Sequence, residues 1–458
     1  MTGKTGNPVF LDSRENIWQI ELGLSTWVTR GFRSKHAAAP CPHLPEMGVA
    51  TSEAWMLIRS STPEALRQNN SLAVLSAMRR QGMMAHTDLC AETGLASATV
   101  SAITAVLERD GVIERLEQKP AGGRGRPRVL FQPRRDFGYV AAVRISSDVV
   151  QYSLVDYAGR LIDRFEEARV HADGATTAFG QSFLTALARL AERSRLAREQ
   201  VLAVSISSKG IVDADSARLL WSPVLGGATL DFAGLIRPLW PARVMLANES
   251  LLVAQAIAGK REAEGHAPAL AALSLGHSIG LGVARRDRHG EWEVTAPNFG
   301  HMQHMAGGSL CRCASQGCVE AYAGFYAVLR TAFQVPPQTI PAKFVPITEM
   351  EKIAAQARAG NRMAIYAFRQ AGLALGAGLA RVISLFGPMP VAVTGPGLRF
   401  LPLMQDGLTD AFAETHEGRL NGVPPILPMT GEDELVFEGH VSRALAEIDL
   451  TLATARAS

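Results

Sequence analysis

The sequence predicts an α/β protein in which a small helical unit with a two-stranded appendage precedes a long run of alternating strands and helices. Three observations predict it. Helix-period segments closed by glycines lie between Asn69 and Asp110, strand and helix periods alternate from about residue 137 onward, and the 458-residue chain is 47% apolar and 19% charged. That composition excludes wholesale disorder, and the length suits roughly two to four domains.

Lys and Arg number 46 against 43 Asp and Glu, a net charge of +3, so only local charge can point to a partner. Five cysteines are too few for a disulfide scaffold. Three of them fall between Cys311 and Cys318, which favours a metal site in a reducing compartment. The longest apolar stretch, 372–395, carries Arg381 and is broken by Pro388 and Pro390. It reads as a buried helix followed by a strand, and no membrane partner is expected. A basic start followed by an apolar run is missing at the N-terminus, so a cytoplasmic protein is expected.

The elements follow in order. Residues 1–62 mix Trp18, Trp27, Pro40, Pro42 and Pro45 with scattered charge and no sustained period. This irregular extension fits a disordered arm, an internal start at a methionine such as Met47 or Met56, or a functional extension. Within 63–134, Leu72, Leu75 and Met78 recur at helical spacing until Gly82 stops the run. A short helix spans Thr87 to Thr93 and ends at Gly94. Ser97 is placed to cap the next helix, whose core face is Val100, Ile103 and Leu107. Asp110-Gly111 closes it, and two short strands, Val112-Ile113 and Val129 to Phe131, flank a Gly-rich loop. Three helices and a two-stranded wing make a winged helix-turn-helix. Beyond it, strands are expected at Val140–Ile145, Val150–Leu154, Val201–Ile206, Val244–Ala247, Ala271–Leu275 and Val391–Thr394, with helix around 175–197.

The turn Gly94-Leu95-Ala96 between two short helices suits insertion of the second helix into a DNA major groove. Ser97, Ala98, Thr99, Ser101 and Ala102 lie off its core face. Their hydroxyls can bond bases or phosphates, and alanine can touch a thymine methyl. The charge sits in the wing. Seven basic residues against Glu117 lie between Arg115 and Arg135, centred on Arg124, Arg126 and Arg128. Glycine and proline keep that loop thin enough for a minor groove, and counterion release would supply affinity. A solvated basic loop beside an ordinary three-helix bundle is the plainer alternative. The expected partner is a double-stranded DNA operator, read by a homo-oligomer (dimer or tetramer) on a roughly palindromic site.

His301, Cys311, Cys313 and Cys318 give H-x9-C-x-C-x4-C, the donor set of a structural, four-coordinate Zn2+ site, one per chain. His304 is a competing ligand. Three buried cysteines without metal are the alternative.

The segment Gly300-His301-Met302 with Cys311-Arg312-Cys313-Ala314-Ser315-Gln316-Gly317-Cys318-Val319-Glu320-Ala321 resembles the signature of the ROK family, which unites sugar-responsive repressors, uncharacterised reading frames and sugar kinases. The resemblance covers about residues 63–450. It implies a two-lobed, actin-like domain of the sugar-kinase (ribonuclease-H-like) type behind the winged helix. The first lobe would be 135–250 and the second 251–458, its last helix free to pack back on the first. It also implies a small sugar-like effector in the cleft between lobes, held by Asn248, Glu249, Asn298, His301 and Glu320. Glu249 stands where the family's kinases carry a catalytic Asp, Leu251 where the motif has Asn, and Asn298 where it has an acid.

The phosphate side departs further. Arg144-Ile145-Ser146-Ser147-Asp148 replaces the kinases' Asp-x-Gly-Gly-Thr loop. Gly276 to Gly282 keeps a Gly-rich turn, and Thr394-Gly395-Pro396-Gly397 inserts proline into the other. The expectation is a transcriptional regulator of carbohydrate genes, most simply a repressor, with no catalytic residues. The alternatives are an active carbohydrate kinase carrying a DNA-binding unit and a regulator that needs no ligand.

Overall fold

The computed structural model describes residues 62–118, 128–169, 176–225, 229–263, 268–288, 290 and 292–455. Residues 61–458 form one compact unit. The expectations for residues 1–61, and those for Lys119, Arg124 and Arg126 in the basic loop, lie outside the described residues.

Helix α1 (Pro63–Gln81) starts where Thr62 Oγ accepts from Ala65 N at 3.2 Å, with proline in the first turn. It begins six residues before Asn69, because the polar opening turns face solvent and carry no apolar period. Strand β1 (Met84–Ala85) leads into α2 (His86–Thr93). Gly94 ends α2 at φ 68° in the left-handed region, its N–H bonding Cys90 O at 3.0 Å. Helix α3 (Ser97–Arg109) follows. Its cap is Ala96, with no side-chain bond, so Ser97 is the first helical residue and not the cap expected from sequence. Strands β2 (Ile113–Gln118) and β3 (Arg128–Pro133) pair antiparallel, and β1 adds to β3, giving a three-stranded sheet.

The chain then builds β4 (Tyr139–Ile145), β5 (Val149–Asp156), β6 (Leu161–Ala168), α4 (Thr176–Arg193), β7 (Val201–Ser208), β8 (Ile211–Asp213), β9 (Arg218–Trp221), β10 (Leu230–Asp231), α5 (Phe232–Ile236), β11 (Arg243–Asn248) and α6 (Glu249–Ala263). Next come β12 (Ala269–Ser274), β13 (Gly280–Arg286), β14 (Trp292–Thr295), α7 (Glu320–Ala323), α8 (Phe325–Ala332), α9 (Ile347–Arg358) and α10 (Arg362–Phe386). The chain closes with β15 (Val391–Thr394), α11 (Leu401–Ala413), α12 (His416–Asn421), β16 (Ile426–Pro428) and α13 (Glu432–Ala455).

Two five-stranded sheets share one topology. Three antiparallel strands are extended by two parallel ones, in the order β6-β5-β4-β7-β11 and again β14-β13-β12-β15-β16. Helices α4 and α5 cover the outer face of the first sheet through Phe183, Leu187, Phe232 and Ile236. Helices α8 to α11 cover the outer face of the second through Phe325, Phe368, Leu375 and Met404. Between the sheets, Leu252, Val253 and Ile257 of α6 meet Leu435 and Val436 of α13. The alternation expected in β5 holds only to Tyr152. Beyond it both faces are buried, because α13 covers the second one.

The three-helix unit shares its core with the first sheet. Val74, Leu75 and Met78 of α1 pack in one cluster with Leu89, Val100 and Leu107, with Val140 and Val155 of the sheet, and with Ala444, Leu445 and Ile448 of α13. Each buried Val, Leu, Ile or Met side chain among them contributes about 1.5–3 kcal/mol by removal from water. A polar clamp sits beside this core. Arg79 donates to both oxygens of Asp449 at 3.0 and 2.9 Å, stacks 4.2 Å over the Tyr157 ring and bonds the Tyr157 carbonyl, while the Tyr157 hydroxyl donates to Asp449. Among the described residues no single helix is long and apolar enough to cross a membrane.

Candidate functional site

In open α/β sheets the carboxyl ends of the parallel strands form the natural crevice. Here β7 ends at Ser208 and β11 at Asn248, and the segments after them edge a cavity of about 210 Å³ between the two sheets. The cavity is completed from the second sheet by Ser278, Ile279, Pro297, His301 and Glu320, and by Glu432 at the start of α13. All five residues expected to hold an effector line it: Asn248, Glu249, Asn298, His301 and Glu320. Tight chain crossings shape the walls. Gly210, at φ 128°, has the Trp221 carbonyl 2.1 Å from where a Cβ would stand.

The structure also shows how these side chains are occupied. Asn248 donates through Nδ2 to Gly210 O at 2.6 Å and accepts from Ser250 N at 2.8 Å. Glu249 is buried and bound by Arg144, whose Nε and Nη2 reach its two oxygens at 3.1 and 3.3 Å. Arg144 also bonds Asp433 and lies 4.0 Å from Glu432. Burial works against the Arg144 charge, but Glu249 and Asp433 outweigh it and hold the guanidinium protonated. Arg144 is therefore a cation locked onto the Glu249 carboxylate.

Glu320 accepts at Oε1 from Arg312 Nε and Nη2 at 3.2 and 3.0 Å, and at Oε2 from Ile279 N at 3.1 Å. Sequence reasoning missed both arginines as structural partners. Arg312 lies within the C-x-C motif, and Arg144 lies 105 residues from Glu249, so neither pairing has a local signal.

The segments that the resemblance sets against the kinases' glycine-rich loops are engaged within the protein. Arg169 donates to the Ser146 and Ser147 carbonyls at 3.0 and 3.1 Å, fixing the turn after β4. Pro396 packs against Gly276, where a Cβ would meet its ring at 3.2 Å. His277 stacks on Phe344 at 4.6 Å, and burial with nearby Lys209 and Arg312 pushes its imidazole down to about 4.

Beside the cavity, one donor atom from each of His301, Cys311, Cys313 and Cys318 lies within 4.8 Å of all the others. Cys313 Sγ and Cys318 Sγ are 3.7 Å apart, and Cys311 Sγ is 3.5 Å from His301 Nδ1. Metal–ligand bonds of about 2.3 Å to sulfur and about 2.0–2.1 Å to nitrogen give a tetrahedron with S···S edges of about 3.8 Å and S···N edges of about 3.6 Å. The donor set fits that figure. Burial and Glu320 push the Cys311 thiol up to about 11, and burial with its two neighbouring thiols raises Cys318 as well. Only a bound cation would hold these sulfurs as thiolates at neutral pH. His304 stays out of the group and packs edge-on against Tyr322.

In the helical unit, α2 and α3 meet at 116°. Ser97, Ala98 and Ser101 are exposed on α3 and Thr99 is half-buried. Ser101 Oγ lies 2.9 Å from His86 Nε2, a neighbour that sequence reasoning did not pair with it. The backbone of Arg128 opens β3.

The family model described as "ROK family" matches residues 140–423. The chain belongs to the ROK family. Among its ROK relatives, the xylose repressor of Caldicellulosiruptor bescii is 26% identical over 359 residues, covering 76% of this chain and 88% of that one. The glucokinase of Streptomyces coelicolor is 26% identical over 269 residues, 56% of this chain and 82% of its own. The crystal structure of a ROK family transcriptional regulator, a homolog of the E. coli MLC protein, covers 85% of this chain and 99% of its own, with a TM-score of 0.65 at 20% identity. That likeness shows the mixed α/β, sugar-kinase-like ROK fold.

Proposed function

We propose that this ROK protein is a DNA-binding transcriptional regulator, a repressor of carbohydrate genes released by a small sugar-like effector in the cleft between the sheets. The observation that carries the DNA-binding part is the 116° crossing of α2 and α3 across a three-residue turn. It lies within the range of about 90–120° of helix-turn-helix pairs. The second helix then presents Ser97, Ala98, Thr99 and Ser101 to a major groove, with Arg124, Arg126 and Arg128 reaching along the backbone or minor groove. Likeness to a xylose repressor over 88% of its length supports the same reading.

A Zn2+ ion held by His301, Cys311, Cys313 and Cys318 would have four protein ligands and so serve structure, tying the loop to the cavity wall. Kinase activity is lost in this reading, because Arg144 neutralises the carboxylate a kinase would use as base. The likeness to a glucokinase keeps catalysis as the second reading.

One experiment separates the two. The purified full chain is titrated onto its own upstream DNA by fluorescence anisotropy, with and without a sugar panel, and ATP turnover is followed with the same sugars. Specific binding relieved by one sugar class, without ATP turnover, is expected. Sugar-dependent ATP turnover, or no preference over unrelated DNA, would overturn the proposal.

A further inference from the structure

A serine or threonine inside a helix commonly turns its hydroxyl back to the carbonyl four residues earlier. In this chain Thr93, Thr104 and Ser384 do so, donating to the Leu89, Val100 and Ala380 carbonyls at 2.6, 2.9 and 2.8 Å. Ser101 does not. Among the described residues its Oγ has one hydrogen-bond partner, His86 Nε2 at 2.9 Å, on the neighbouring helix. The His86 ring is held for that contact. It belongs to the first residue of α2, is half-buried, and has Cys90 Sγ, one turn on, 3.8 Å from its other nitrogen, Nδ1. Asp88 fixes the entry to the helix by accepting from Ala85 N at 3.2 Å. Packing of the two helices does not require the bond, because Leu89 and Val100 already join them in the buried cluster.

The bond falls on the face that would read DNA. Ser101 opens the second turn of α3 and is exposed, and the exposed side chains around it are Ala98, Ala102 and Ala105. Its hydroxyl is thus the polar group in the middle of that face. A free hydroxyl rotates and serves as donor or acceptor to whatever base edge it meets, so it discriminates little. A hydroxyl tied to an imidazole nitrogen keeps a defined role and direction. Base pairs differ in the major groove by where donors and acceptors stand, so a hydroxyl of fixed role can tell them apart.

We infer that His86 is a positioning residue for base recognition: through Nε2 it fixes the Ser101 hydroxyl on α3 and so sets the base preference at one position of each operator half-site. The inference rests on the DNA-binding reading above, and it adds the residue that orients one of its contacts.

The test uses the zinc-replete full chain and duplexes of its own upstream DNA in which each base pair is changed singly, with affinities read by competition in fluorescence anisotropy. The proteins are wild type, Ser101→Ala, His86→Ala, the double variant and His86→Gln, whose side-chain amide keeps hydrogen-bonding groups within reach of Ser101. At one base pair of each half-site, Ser101→Ala should lose about 3- to 10-fold of the wild-type discrimination, as for one neutral hydrogen bond. His86→Ala should lose the same discrimination at the same base pair and leave the preferences at the other positions as they are. The double variant should lose no more than either single variant, and His86→Gln should restore most of the preference. Should His86→Ala fail to fold, His86→Phe keeps the bulk of the ring without its nitrogens and is read in the same way. Unchanged discrimination without the imidazole, equal weakening on every duplex, losses that add in the double variant, or a His86→Gln protein no better than His86→Ala would each overturn the inference. A wild-type chain with no preference for its upstream DNA over unrelated DNA overturns the DNA-binding reading itself, whereas specific binding whose base preferences ignore His86 overturns this inference alone.

Discussion

Replacing Arg144 by methionine removes the only cation paired with Glu249 among the described residues while keeping the unbranched bulk. Arg144 has 13% of its side chain exposed and Glu249 has 4%. Leaving a carboxylate of that burial without its partner costs about 3–5 kcal/mol. Asp433 contributes little to this figure, since its side chain is 72% exposed and remains solvated when the arginine leaves. For a folding unit of roughly 400 residues such a loss lowers the melting temperature by about 4–6 °C. The assay is calorimetric melting of zinc-replete protein for wild type, Arg144→Met, Glu249→Gln and the double variant. The double variant should regain most of what Arg144→Met loses, because a neutral amide beside methionine carries no stranded charge. Losses that simply add, or an Arg144→Met protein that melts within about 1 °C of wild type, would refute the picture of a locked Arg144–Glu249 pair.

Four further outcomes are expected. Asp449→Asn should destabilise the chain by about 2–4 kcal/mol and raise hydrogen exchange in α1 above that in α4, since its bidentate partner Arg79 joins the helical unit to α13; uniform exchange would count against the clamp. Cys313→Ser should lower metal content, measured by atomic emission, and the melting temperature together. Arg126→Ala should weaken operator binding and reduce the slope of log affinity against log salt by about one; an unaltered slope would remove the wing from the interface. The fourth concerns acid. Burial lowers the His440 imidazole from 6.5 to about 3, with Arg144 and Arg443 adding to the effect, and its two nitrogens lie 2.8 and 2.9 Å from Ser205 and Ser207 hydroxyls. Unfolded chains therefore take up this proton first as pH falls. The contribution is complete above pH 6.5 and declines toward pH 3, by up to about 1.4 kcal/mol per unit. In urea titrations between pH 4 and 7 the pH slope of His440→Gln should be shallower than that of wild type.

Features written in neighbouring residues were legible in the sequence. The turn at Gly94 needs a left-handed residue, so its position follows from the letters alone, and α2 and α3 end and begin around it. The cysteine spacing gave a donor set that the fold brings within 4.8 Å. What failed was written across long separations or in too few residues. Strand β1 is only Met84 and Ala85, too short for any period, and exists because β3 offers its free edge. The polar first turns of α1 hid its true start at Pro63. Glu249 and Glu320 read as free pocket acids because nothing near them in sequence shows that Arg144 and Arg312 claim them. The repeated topology of the two sheets leaves no trace in the letters, since packing fixes the pattern of buried positions and not their identity.

The clamp between Arg79 and Asp449 joins residues 370 positions apart. At about 5–20 residues per second, a ribosome that has made α1 needs roughly 20–75 s more to make its partner in α13. Through that interval Val74, Leu75 and Met78 lack the surface that Ala444, Leu445 and Ile448 later provide. The amino-terminal helices of this chain thus reach their final packing last, although they are synthesised ahead of both sheets. Loss of even a few turns from the carboxyl end of α13 would leave an apolar stripe uncovered on α1.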